Sequence, residues 1–141
     1  MCKVKKEYQS SIDDKGLNWV APREIEELRK GARATRNPIR NELLILMLYR
    51  HGLRESELCG LRLDYIDFDQ SKIHIKRLKG SNDFTHPIEG DELRLIRRYL
   101  KTREGKTSLR LPWLFVSERG NQLSRFTVIK AVESCYKRAG L

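Results

Sequence analysis

Long apolar runs are absent from this 141-residue chain. The longest extends only from Leu43 to Tyr49, far short of the roughly 20 residues that a membrane-spanning helix requires. Cysteine is scarce, and Cys2, Cys59 and Cys135 are odd in number and widely scattered. They form neither a disulfide framework nor a metal cluster, and they read as reduced thiols, with Cys59 and Cys135 packed inside. With 4 Pro, 9 Gly and no internal repeat, the chain is not collagenous or of low complexity. Acidic residues are in deficit: 19 Asp plus Glu face 29 Lys plus Arg, a formal charge of +10. Such a balance favours a polyanionic partner, nucleic acid first. What is present, 39% hydrophobic and 34% charged residues, is the composition of one globular domain with a modest core. A long multidomain enzyme is excluded. The N-terminus Met1-Cys2-Lys3-Val4-Lys5-Lys6 is basic, but no apolar stretch follows it, so it does not read as a signal peptide and the expected location is cytoplasmic.

The pattern along the chain is helical with a β excursion in the middle. Residues 1–18 are polar and aperiodic and read as a tail or linker, with the domain expected over 19–141. A short surface helix is expected from Pro22 to about Gly31, on Ile25 and Leu28. A longer, more buried one follows from about Pro38 to His51, with Gly52 placed to end it in a left-handed cap. A third short helix covers about Arg54 to Leu61. The period then changes to two, with Ile66 and Phe68, then Ile73 and Ile75, around the turn Asp69-Gln70-Ser71. A second turn leads to Phe84–Ile88, so the centre reads as a small antiparallel sheet of three strands. A helix from about Gly90 to Thr102 carries Leu93, Ile96 and Leu100 on one face, and Arg94, Arg97, Arg98 and Lys101 around it. That basic face is more often a solvated surface than a phosphate track, and two of its four cations could simply pair with Glu92 and Glu104. After a loop and the apolar segment Trp113–Val116, Ser124 is placed to cap a last helix that Gly140 terminates.

The segment Tyr49-Arg50-His51-Gly52-Leu53-Arg54-Glu55-Ser56-Glu57-Leu58 resembles the first arginine box of the tyrosine recombinases, the phage integrases with their Xer-type and fimbrial-switch relatives. The resemblance continues through Leu63-Asp64-Tyr65-Ile66-Asp67-Phe68 and the stretch Ile73 to Gly80, similar to the family hairpin that carries a lysine. It implies an incomplete tyrosine recombinase catalytic-domain fold, mainly α with a small three-stranded sheet. The implied chemistry is metal-free strand transfer on double-stranded DNA through a 3′-phosphotyrosine, with no cofactor. Arg54 would hold a nonbridging phosphate oxygen, a role suited to a planar, permanently charged fork. Glu57, at i+3, would orient it, and Lys79 would be the general acid for the leaving 5′ oxygen. Lys76 and Arg77 join Arg54 and Lys79 as expected DNA contacts. Lys72, His74 and Lys76 alternate onto one strand face, which is either plain amphipathicity or a face turned to DNA backbone.

The family also uses a His-x-x-Arg box, a further His or Trp, and a tyrosine nucleophile, all downstream of the helix in which this chain stops. His51, His74 and His86 sit in other contexts, with His86 read as structural, and Tyr136 is not read as the nucleophile. The chain is therefore expected to be the first half to two-thirds of a catalytic domain that binds DNA without cleaving it. The alternative is a noncatalytic DNA-binding or recombinase-partner module, a natural remnant or regulator, that pairs with itself or with an intact protomer. Nothing supports a hydrolase or zinc enzyme: Gly-x-Ser-x-Gly, Gly-x-x-x-x-Gly-Lys-Ser/Thr and paired Cys/His spacings are all missing.

Overall fold

Prolines and glycines mark the helix ends. In the computed structural model, which describes residues 21–76, 82–104 and 111–141, helix α1 (Pro22–Arg33) starts on a proline whose missing N–H is no loss in a first turn. Glu24 reaches back and accepts the Ala21 N–H at 3.2 Å. Helix α2 (Pro38–His51) also starts on proline and stops at Gly52, whose φ of 61° is the left-handed cap expected there. Helix α3 (Glu55–Cys59) is short, and a single 3-10 turn leads to strands β1 (Ile66–Asp67), β2 (Lys72–Ile75) and β3 (Phe84–Pro87). Helices α4 (Gly90–Glu104) and α5 (Arg125–Ala139) complete the order. Ser124 caps α5 by accepting the Thr127 N–H at 3.1 Å, and Gly140 closes it at φ 75°. The expected tail over residues 1–18 lies outside the described residues.

The sheet has the order β1-β2-β3, antiparallel throughout, with Ile73 opposite His86 and His74 opposite Thr85. Ile73 and Ile75 face the core, while Lys72, His74 and Lys76 face outward, as period-two alternation requires. One expectation fails here. Phe68 is not in a strand, because the Asp67 carboxylate accepts the Gln70 N–H at 2.9 Å and starts the turn early. Phe68 then lies under the Arg97 guanidinium, 4.9 Å from the ring centre.

The core is built around α2, whose residues Leu43 to Leu48 are all within 1% of complete burial. A helix apolar on every face must be surrounded, and α1, α4 and α5 pack against it. Helix α1 meets α5 at Gly31, where an added Cβ would lie 2.4 Å from the Cys135 carbonyl oxygen, so only glycine permits that approach. The buried face of α4 is Glu92, Leu95, Ile96, Tyr99 and Arg103; of the expected Leu93, Ile96 and Leu100, Ile96 is fully buried, while Leu93 and Leu100 pack against the core only partly buried. The helix is rotated toward Glu92, which is completely buried. The Trp113–Val116 segment is tied across the molecule, with the Leu114 N–H on Leu61 O at 2.8 Å and the Val116 N–H on the Tyr99 hydroxyl at 3.0 Å.

Candidate functional site

Arg54 follows α2 by three residues. Gly52 turns the chain, Leu53 buries completely, and Arg54 becomes the N-cap of α3 with extended backbone. Its own N–H donates to the Glu57 carboxylate at 2.9 Å. The i+3 glutamate thus fixes the arginine through its backbone, in the manner of the reciprocal half of a capping box. Glu57 is buried and Arg54 half-buried, a geometry that leaves the arginine at the surface while its supports lie beneath. Glu55, on the inner side of the same turn, is buried and ion-paired with Arg125 at the start of α5. Three elements therefore converge on one short turn.

The hairpin of β2 and β3 stands beside this turn. His86 of β3 has its Nδ1 3.0 Å from Nδ1 of His51, the last residue of α2. Lys76, just after β2, is exposed, with its ammonium 5.7 Å from the Tyr65 ring centre. Arg77 and Lys79 lie outside the described residues. The structure thus brings Arg54 and Glu57 together and sets the base of the hairpin next to them. A cleft of about 330 Å³ between Arg50, His51, His86, Pro87, Glu89 and Glu92 opens at this junction. Another cavity, of about 170 Å³, opens at the opposite end of α2 among Asn37, Arg40, Tyr99 and Val116 and contains none of the motif residues.

Along α2 runs a charged seam. Arg33 holds both oxygens of Glu42 at 3.0 and 2.8 Å, and Arg29 adds a bond at 3.1 Å. Burial would raise the Glu42 carboxyl, but the two guanidinium groups hold it below its usual range. Arg50 forks onto Asp91 at 2.8 and 2.9 Å, and this bidentate bond brings the Asp91 carboxyl down to about 2. His51 Nε2 lies 2.7 Å from Glu92. The option of pairing Glu92 with a cation of its own helix face is therefore not taken: Glu92 points inward, to His51 and Arg50. Among the described residues, no group of three or more His, Cys, Asp and Glu could hold a metal ion, and no helix is long and apolar enough to cross a membrane.

Histidine context needs the structure. His51 and His74 are each followed three residues later by an arginine, Arg54 and Arg77, so the His-x-x-Arg spacing by itself does occur in this chain. His51 closes one helix while Arg54 caps the next, and His74 lies on the outer face of β2, bonded to Thr85 at 2.7 Å. Both spacings lie before α4 in chain order. The His51, Glu92 and His86 cluster and the Glu55–Arg125 pair were not legible as site features, since their partners are 35 to 70 residues apart. Cys59 and Cys135 are buried, as expected.

The sequence profile described as the phage integrase family matches residues 18–141. The type 1 fimbriae regulatory protein FimB of Escherichia coli (strain K12) is 34% identical over 133 residues, which are 94% of this chain and 66% of that protein. The tyrosine recombinase XerA of Pyrococcus horikoshii is 40% identical over 106 residues, 73% of this chain and 36% of that protein. Among solved structures, the crystal structure of XerA recombinase superposes with a TM-score of 0.74 at 24% identity, covering 86% of this chain and 43% of that one. That last likeness is one of fold. The chain spans from about a third to about two thirds of the length of these relatives.

Proposed function

Because the chain belongs to the phage integrase family, we propose that it is the DNA-binding portion of a site-specific tyrosine recombinase, acting on double-stranded DNA in recombination and integration. Arg54 holds a nonbridging oxygen of the phosphate undergoing transfer, Glu57 positions it, and Lys79 on the hairpin stands by the leaving oxygen as general acid. Lys76 and Arg77 hold adjoining backbone phosphates. The observation that carries this reading is Arg54 itself: it is presented on the cap of α3, with its N–H fixed by buried Glu57 and the base of the lysine-bearing hairpin docked three residues away. A guanidinium held in advance of its phosphate needs little reorganisation when charge develops on the oxygens.

These residues alone bind DNA and do not cleave it. Tyr99 and Tyr136 are buried, and burial pushes both phenols above their usual range, the reverse of what a nucleophile needs. The partner required for cleavage is a segment bearing an exposed tyrosine, from the same polypeptide or from an intact recombinase protomer.

Fluorescence anisotropy of a labelled duplex, titrated at several salt concentrations, tests the reading. Binding should fall steeply with salt, and Arg54→Ala or Lys79→Ala should flatten the slope by about one released ion each for every sequence alike. Unchanged slopes in both variants would overturn the assignment of these residues.

A further inference from the structure

His51 is 3% exposed and Glu92 not at all, yet no step of the proposed chemistry uses either one. His51 ends α2, three residues before Arg54, and its ring faces two ways. Nε2 lies 2.7 Å from Glu92 of α4, and Nδ1 lies 3.0 Å from Nδ1 of His86 on β3. With Arg50 Nη1 3.6 Å from the other Glu92 oxygen, the carboxylate is the acceptor and His51 Nε2–H the donor. Two Nδ1 atoms at hydrogen-bond distance share one proton, because one ring must donate and the other accept. The groups facing this pair are Arg50 from α2, Asp91 and Glu92 from α4, Glu89 just before α4, and His86 from β3; Arg29 of α1 reaches Asp91 at 3.5 Å.

We infer that His51 and His86 are positioning residues, a one-proton tie that fixes the Lys79-bearing hairpin against the turn that presents Arg54. The inference rests on the DNA-binding reading above for its purpose, and on the histidine geometry for its existence. The neutral pair holds with the His86 Nδ1–H donating to His51 Nδ1. One added proton still leaves a single N–H between the rings. A second proton sets N–H against N–H and breaks the contact. The tie thus holds with one proton between the rings and is lost when both rings are charged.

The experiment uses the whole chain with 15N-labelled histidine. Long-range proton–nitrogen spectra at neutral pH should show His51 protonated on Nε2 and a scalar coupling between the two Nδ1 atoms; a His51 protonated on Nδ1 with no coupling overturns the tie. His86→Leu removes the contact, whereas His86→Asn replaces the ring N–H by an amide N–H that does not titrate. Amide exchange over Leu53 to Leu58 should quicken about tenfold in His86→Leu and stay near wild type in His86→Asn. Duplex affinity at neutral pH should fall about threefold or more in His86→Leu and be retained in His86→Asn. Equal affinities and equal exchange rates in all three overturn the positioning role. If His86→Leu does not fold, the coupling and the affinity of His86→Asn decide. If the wild type fails to bind any duplex, the functional reading fails, and the coupling and exchange decide the tie alone.

Discussion

Two buried contacts of α2 are held by different forces. Through its middle, Leu43 to Leu48 pack against apolar neighbours, and α1 closes on α5 through Gly31 with no atom to spare. At its last turn His51 is buried and Arg50 partly so, and there the two meet Asp91, Glu92 and His86. The first contact is sensitive to volume and indifferent to protons and salt. The second depends on charge pairs whose strength varies with pH and screening. The motif arginine is therefore carried on a rigid helix and presented from the end whose anchorage responds to solution conditions.

The largest test of this contrast is a cavity. Leu46 is 1% exposed, and Leu46→Ala should lower the unfolding free energy by about 2–5 kcal/mol, lost transfer energy plus the cavity left behind. Chemical denaturation should give the same loss at low and high salt. A salt-dependent loss would mean that the middle of α2 is coupled to the seam. Overfilling is the next effect in size. In Gly31→Ala the new methyl meets the Cys135 carbonyl oxygen and the Ala139 backbone, which must shift at a cost of about 3 kcal/mol. Alanine's helix propensity returns about 1 kcal/mol, so a net loss near 2 is expected in the same assay. A stabilised variant would show that α1 and α5 are free to part.

The two contacts also differ in how well the sequence displays them. Periodicity places the apolar one: the ends of α2 at Pro38 and Gly52, the cap of α5 at Ser124, and the inward isoleucines of β2 are all local consequences of residue type and spacing. The Arg54 box was legible for a related reason, since its parts lie within one turn of helix and Glu57 acts on the Arg54 backbone. The seam was not. Glu92 sits among charged residues on a helix whose apolar period suggested a different inward face, and nothing local marks it as the partner of a histidine 41 residues earlier. Phe68 failed for a local reason instead, because the Gln70 N–H bond to the Asp67 carboxylate outweighed the alternation. Short-range chemistry can be read from a sequence, whereas long-range charge pairing depends on packing that the sequence does not display.

A smaller effect separates the contacts by pH. The Arg50 fork brings Asp91 down to about 2. A carboxyl lowered in the folded state contributes stability above its ordinary value and loses it as pH falls through the folded value. Because the pair is partly exposed, solvent screening reduces the contribution to about 1 kcal/mol at pH 7. The stability curves of the wild type and Asp91→Asn should therefore differ by that amount at neutral pH and converge between about pH 4 and pH 2. Curves that stay parallel through that range would remove Asp91 from the seam's pH response, while Leu46→Ala should stay parallel throughout.

The smallest effect changes no stability and compares the two regions directly, through one thiol in each. Cys135 belongs to the apolar contact, its carbonyl facing Gly31, and Cys59 ends α3 beside the site, where Gln122 donates to its carbonyl at 3.0 Å. Burial pushes both thiols up to about 12, helped at Cys59 by the Glu55 charge. Near pH 8 each should then react with a thiol reagent only through an opened state, because the thiolate is the reactive form. Opening near Cys59 requires the release of a five-residue helix, whereas Cys135 is held within the 15 residues of α5. Mass-resolved labelling should find Cys59 modified at least about tenfold faster, as expected where local opening costs less than global unfolding. Equal rates would mean that the turn presenting Arg54 opens only with the core, and that the seam differs from the apolar contact in chemistry but not in local stability.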